Sequence, residues 1–231
     1  MSDGVLRMDA ERRALIGSMR THCLRCKVPY GEYGCTHERV RPGVLTDDCA
    51  NSPAAWTRRA FVPEPWAAAG WSRESQAIRH RAIRDRLLPL FDSTVSVLDY
   101  GCGPGAMSEE FAECRYIGFD WSLGMVERAK IEHPGVEFTT MLRDGDTWDL
   151  VVCCGTFNLR DAWSKQRTWA LVRMLWNRCD RAMAVSLYCG TDPACLRYEP
   201  SEVARLAGEL APGFSVERGY LPNDLLMVLR R

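Results

Sequence analysis

The residues best equipped for chemistry are Asp99, Gly101, Gly103 and Gly105 in VLDYGCGPGAM, residues 97–107, together with Asp120 at the end of YIGFD. Val97 and Leu98 form an apolar run suited to a buried parallel strand, and Asp99 ends it. The glycines that follow lack Cβ atoms, so the backbone can take positive φ and lie against a bulky ligand. Cys102 stands within that turn, next to whatever it holds. A second strand, Arg115–Phe119, delivers Asp120 at its carboxyl end, where an acid in a doubly wound sheet hydrogen-bonds a ribose diol. Turn and acid together describe a site for an adenosine-containing cofactor.

Gly101, Gly103 and Ala106 also satisfy G-x-G-x-x-G/A, so a dinucleotide is one alternative, and a glycine turn in some other α/β protein is another. A pyrophosphate favours a helix N-terminus and is poorly served by an acid just ahead of the turn, where Asp99 stands. An acid there suits a cation. S-adenosyl-L-methionine (SAM) carries a sulfonium, an ammonium and a ribose, and no phosphate. The arrangement resembles motif I and its following acid in the class I SAM-dependent methyltransferases. The stretch Trp121–Lys130 resembles that family's D-x-S-x-x-M-x-x-x-A segment, which implies that Trp121 and Met125 pack against adenine. The family's usual acid past strand three has no close match; Asp144 is the nearest, and backbone groups near Met141 and Leu142 are the substitute.

These residues need a sheet to hold them. Strands are expected at Val136–Thr140, Trp148–Cys153 and Arg181–Tyr188, with a long helix through Trp163, Leu171, Met174 and Leu175. A helix should begin near Met107, and residues 214–231 read as a closing antiparallel pair joined by Gly219–Asp224. The resemblance implies the class I methyltransferase sheet, strand order 3-2-1-4-5-7-6 with strand 7 antiparallel, over residues 71–231. From Trp71 the chain turns helical, with Ser72 as N-cap and Ser75 behind it. Gln76 and Arg79, with Arg73, are then placed to meet the methionine carboxylate or a substrate, or else form a solvated face.

Ligands in open α/β sheets bind outside the carboxyl ends of strands, so Cys154-Gly155-Thr156-Phe157-Asn158 should face the reacting methyl group. The segment resembles an S/C-G-x-F-N loop of small class I methyltransferases and lacks the Pro-Pro-Tyr and Pro-Cys signatures of other branches. Cys154 and Phe157 join the cofactor-facing set on that basis. Asn158, Arg160 and Tyr188 are the catalytic candidates, with Tyr198 as a further substrate-facing residue and His80 and His133 behind them. Methyl transfer mainly needs acceptor, methyl carbon and sulfur held in line, plus a base where the acceptor must lose a proton.

The chain has 231 residues, 46% of them hydrophobic, enough to bury one sizeable core. No apolar run is long enough to span a bilayer and MSDGVLRMDAERR is unlike a secretory signal, so the cytoplasm is the expected location. Net charge is zero at pH 7, which withholds the usual sign of a nucleic-acid partner. The eleven cysteines are then expected to be reduced, with Cys102, Cys153 and Cys154 packing as small apolar side chains.

Residues 1–50 form a distinct Cys/His-rich extension. Cys23-x-x-Cys26 has zinc-knuckle spacing, and Cys23, Cys26, Cys35 and Cys49 are the preferred Zn2+ ligand set, with His37 or His22 as substitutes. A reduced Cys-rich lid is the alternative. Residues 51–70, with Pro53, Pro63, Pro65, Trp56, Phe61 and Trp66, read as a linker or lid packed on the domain.

The function expected is SAM-dependent methyl transfer to a small-molecule or glycan acceptor. A nucleic-acid base methyltransferase docking through a zinc module is the second reading, and a non-catalytic SAM-fold subunit that binds a partner is the third. The sequence sets no oligomeric state.

Overall fold

The computed structural model describes residues 59–231 except 69, 91, 161 and 162. The proposed zinc ligands Cys23, Cys26, Cys35 and Cys49, their substitutes His22 and His37, and Trp56 therefore lie outside the described residues.

Alternation along the strands builds the fold. Val97, Leu150, Val152, Ala182, Ala184, Leu226 and Val228 are buried on one face of a sheet, and Leu98, Val151, Cys153, Met183, Val185, Leu187 and Met227 on the other. Successive side chains of a strand point to opposite faces, so a sheet apolar on both needs helices on both. The strands are β1 (Ser96–Tyr100), β2 (Arg115–Phe119), β3 (Glu137–Thr139), β4 (Trp148–Cys154), β5 (Cys179–Tyr188), β6 (Gly213–Arg218) and β7 (Asp224–Arg230). Their order is β3-β2-β1-β4-β5-β7-β6, with β7 antiparallel to β5 and β6 and the other pairs parallel. This is the class I methyltransferase sheet.

One layer comprises α2 (Arg73–Leu87), α3 (Leu123–Glu132) and a short 3-10 turn, Ala106–Phe111; the other comprises α4 (Lys165–Asn177) and α5 (Pro200–Leu210). A single helical turn, α1 (Pro65–Ala68), precedes them. The capping box of α2 forms as expected: Ser75 N–H donates to Ser72 Oγ at 3.1 Å and Ser72 N–H to Ser75 Oγ at 3.2 Å. His80, Ile83 and Leu87 make its buried stripe.

Two elements differ from expectation. The helix expected after Met107 is only the 3-10 turn, because the glycine turn takes up the first part of the connection after β1, and β2 already starts at Arg115. Helix α5, absent from the expected elements, starts with Pro at its first position and buries Val203, Leu206 and Ala207. Cys102, Cys153 and Cys154 are free and buried, as expected of packing residues. Among the described residues no helix is long and apolar enough to cross a membrane, and no cluster of His, Cys, Asp or Glu is arranged for a metal.

Candidate active site

The glycine turn closes on the end of β2. The N–H groups of Gly101 and Cys102 both donate to Phe119 O, at 2.7 and 2.9 Å, so the turn and the segment carrying Asp120 move as one piece. Gly101 has φ +85°, and a Cβ there would come within 2.5 Å of Thr156 Oγ1, itself bonded to Tyr100 O. The glycine thus lets the loop after β4 seat against the loop after β1.

Asp120 is 7% exposed. Its Oδ2 accepts from Gly103 N–H at 2.9 Å and its Oδ1 from Ser122 N–H at 2.8 Å. Each oxygen keeps a second lone pair, so the acid is fixed in place and still able to accept from a diol. Asp99, 2% exposed, accepts from the Tyr116 phenol at 2.6 Å through Oδ2. Its Oδ1 is buried and has no hydrogen-bond partner. An orphaned buried carboxylate oxygen is costly unless a ligand answers it. Asp99 and Asp120 lie close enough to disfavour each other's charge, an arrangement that suits a cationic nucleoside and repels a pyrophosphate. The residues present therefore fit SAM.

Burial pushes the Asp99 carboxyl up to about 7, against the Tyr116 hydrogen bond and with some repulsion from Asp120. Burial likewise pushes Asp120 up to about 6, against the N–H groups of Ser122 and Gly103. Between about pH 4 and 7 the folded chain thus holds protons that the unfolded chain has released, and these groups subtract stability as pH rises through that window. A cationic ligand favours the ionised carboxylates and reverses the preference. Its affinity is expected to climb with pH by up to about tenfold per unit between roughly pH 5 and 7, with proton release on binding. Calorimetry in buffers of different ionisation heat measures both; an affinity flat across that range would mean the carboxylates do not face the ligand's charge.

The remaining cofactor candidates are placed as follows. Trp121 is half-buried and Met125 fully buried at the start of α3. Met141 exposes 76% of its surface, and its N–H and C=O are both engaged by Thr139 Oγ1. Leu142 packs toward the α4/α5 face of the core, and Asp144 points to solvent. Gln76 is half-buried. Arg79 grips Asp224, the first residue of β7, with Nε at 2.5 Å from Oδ2 and Nη2 at 3.2 Å from Oδ1. The guanidinium also lies 4.7 Å from the centre of the Trp71 ring. Its charge is spent inside the protein.

Trp71 presses on the loop after β4. A Cβ at Gly155, which has φ +71°, would lie 2.2 Å from Trp71 Cζ2. Cys154 is buried before that glycine, and Phe157, fully buried, meets Trp163 edge-to-face at 4.9 Å. Asn158 is 9% exposed; its Oδ1 accepts from Tyr188 N–H at 3.0 Å, tying the end of β4 to the end of β5. Arg160 donates to the carbonyls of Pro193 and Cys195, and Tyr188 Oη accepts from Asp192 N–H, so both organise the loop after β5. His80 meets Trp71 edge-to-face, and burial followed by the Arg79 charge pushes its imidazole down to about 4, leaving it neutral near pH 7.

Tyr198, expected to face substrate, is instead wholly buried: its Oη lies 2.8 Å from Thr168 Oγ1 and donates to Phe157 O at 3.0 Å. Its hydroxyl braces the loop from behind. Tyr198→Phe should cost about 1–2 kcal/mol in urea unfolding, by stranding Phe157 O. A loss under a few tenths of a kcal/mol would remove that role.

The sequence alone gives Tyr116, Trp71 and Asp224 no part in the site. An acid opening the apolar run DLLMVL was a usable signal, since such a residue needs a buried partner; nothing in the sequence marked Tyr116.

Residues 72–175 match a methyltransferase domain family. Among solved structures, the magnesium protoporphyrin IX methyltransferase of Synechocystis PCC 6803 with bound SAM aligns with a TM-score of 0.57 at 18% identity, over 77% of this chain and 90% of that one. The N-methyltransferase NodS of Bradyrhizobium japonicum WM9, in complex with S-adenosyl-L-homocysteine, aligns at 0.58 and 12% identity, over 77% and 97%. A SAM-dependent methyltransferase from Leishmania major aligns at 0.61 and 15% identity, over 80% and 85%.

Proposed function

Taking as premise that this chain carries a class I SAM-dependent methyltransferase domain and is an enzyme of that class, we propose that it methylates a small-molecule or glycan acceptor by in-line displacement. The observation that carries this reading is the pair of buried carboxylates at the glycine turn, one fixed by two backbone N–H groups and the other with an orphaned oxygen. When bound, SAM supplies the methyl group as a sulfonium electrophile. Asp120 would hold its ribose and Asp99 its ammonium, with Gly103 and Cys102 against it. The loop Cys154–Asn158 would orient the acceptor, with Asn158 kept in place by its bond to Tyr188.

The choice of acceptor class is supported by the surface charge. Several arginines outside the site are answered by carboxylates, Arg84 by Glu110, Arg86 by Glu217, and Arg173 and Arg205 jointly by Glu209, and the chain's net charge is zero, which leaves little excess positive potential for a phosphate backbone. Incubating the protein and radiolabelled SAM with a fractionated cell extract tests it. Label in the low-molecular-weight or glycan fraction is expected; label released by nuclease would favour the nucleic-acid reading.

The same proposal places residues 1–50 as a structural zinc module held by Cys23, Cys26, Cys35 and Cys49, a reading supported by the Cys-x-x-Cys spacing alone. Elemental analysis of protein purified without chelator should find stoichiometric zinc, and its absence would leave a reduced Cys-rich lid. A cytoplasmic location is part of the proposal, supported by the unpaired cysteines Cys102, Cys114, Cys179, Cys189 and Cys195.

A further inference from the structure

Arg128 on α3 is 9% exposed, and its guanidinium is turned away from solvent into the backbone of the preceding segment. Nη1 donates to Ala60 O at 3.2 Å and to Val62 O, Nη2 donates to Pro63 O at 2.7 Å, and Nε bonds Glu132 at 2.6 Å. One side chain thus satisfies three carbonyls of a segment that has no strand partner to do so. Ala60 and Ala68, with Val62, pack on Met125, one turn of α3 earlier, and Met125 is left with no exposure. α3 opens at Leu123, capped by Ser122, whose N–H is held by Asp120. The covered turn of α3 therefore follows directly from the residue assigned to the ribose.

We propose that residues 59–68 form a strap over the Asp120 end of the cofactor site, and that Arg128 is the positioning residue that locks it there, so that strap docking and SAM binding are coupled. The proposal rests on the reading of this site as a SAM site. The strap lies ahead of residues 72–175, the span of the family match. The bonds it uses are specific to the guanidinium. Three carbonyls at differing heights need a fork of several donors, which a lysine ammonium cannot reproduce at once. Coupling is reciprocal: whatever the docked strap adds to SAM affinity, SAM adds to strap docking.

The test uses the full chain with two variants that loosen the strap from opposite sides. Arg128→Met keeps the aliphatic packing and removes the donors; Ala68→Asp leaves α3 intact and places a charge where the strap meets Met125. Both are expected to weaken SAM binding in calorimetry about 5- to 100-fold. Trypsin cleavage after Arg59 should be slowed by SAM in the wild type, and fast and indifferent to SAM in both variants. Arg128→Lys should fall between. Asp120→Ala, measured alongside, separates the two readings. If wild type and Asp120→Ala bind SAM equally poorly, the site assignment fails. If Asp120→Ala loses SAM while Arg128→Met and Ala68→Asp bind it as wild type does, the site stands and the strap proposal is overturned. A variant that fails to fold is recognised by its unfolding curve, and the other then decides.

Discussion

Replacing Asp120 by Ala is expected to weaken binding of both SAM and S-adenosyl-L-homocysteine about 30- to 1000-fold. The two ligands share the ribose, and two hydrogen bonds from a diol to a charged acceptor are worth about 2–4 kcal/mol together. The structure adds a second route to the same loss. Asp120 accepts from Gly103 and Ser122 N–H, so its removal also takes away one of the bonds between the glycine turn and the end of β2, leaving those of Gly101 and Cys102 to Phe119 O. Asp120→Asn separates the contributions only in part, because one of those N–H groups would then face an amide nitrogen. The side chain is buried and desolvation disfavours its ionised form in the free protein, so deleting it should spare the fold more than it spares binding. Urea unfolding without ligand checks that separation. Calorimetry showing the variant within about threefold of the wild type would remove Asp120 from the ribose site.

The contrast between Asp120 and Arg79 shows what the sequence could disclose. Asp120, Gly101 and Gly103 lie within one strand-turn-strand unit, and their relation is local: chain geometry alone puts the acid against the turn. The strand order was legible only through the resemblance to the class I methyltransferases, with right-handed crossovers leaving few other topologies for such an alternation of strands and helices. Arg79 was placed toward a ligand carboxylate because its partner stands 145 residues away at the head of β7, and no local pattern links them. Arg128 was invisible likewise: it sits among Met125, Val126 and Ala129 on a buried helix face, and its partners are carbonyls more than sixty residues earlier. Tyr198 reads as a polar tip near the site and turns out to be a brace because Thr168 and Phe157 O claim its hydroxyl. Long-range satisfaction of buried polar groups is the part of the fold that periodicity does not encode.

Breaking the Arg79–Asp224 pair should give the largest loss of stability of any substitution near the site. The Asp224 side chain has no exposure and that of Arg79 only 12%, so neither charge has water to fall back on. Arg79→Met retains packing beneath Trp71 and strands a buried carboxylate at the start of β7. Removing one partner of a buried pair costs about 3–5 kcal/mol, most of it the penalty of the charge left behind. Loss of the guanidinium over the Trp71 ring adds about 0.5–1 kcal/mol. Replacing both members tests that account. Arg79→Met combined with Asp224→Leu removes the uncompensated charge, and a fully buried pair is often replaceable by apolar groups at little cost. The double variant should therefore regain more than half of the stability that the single variant loses, measured from urea midpoints at unchanged slope. Arg79→Lys keeps the charge, loses the fork that spans both carboxylate oxygens, and should fall between. The pair also locates Trp71, whose indole rests on Gly155 in the loop assigned to the acceptor. If the double variant is no more stable than Arg79→Met, the stranded carboxylate is not the source of the loss, and the hydrogen-bonded fork itself carries the stability of this corner.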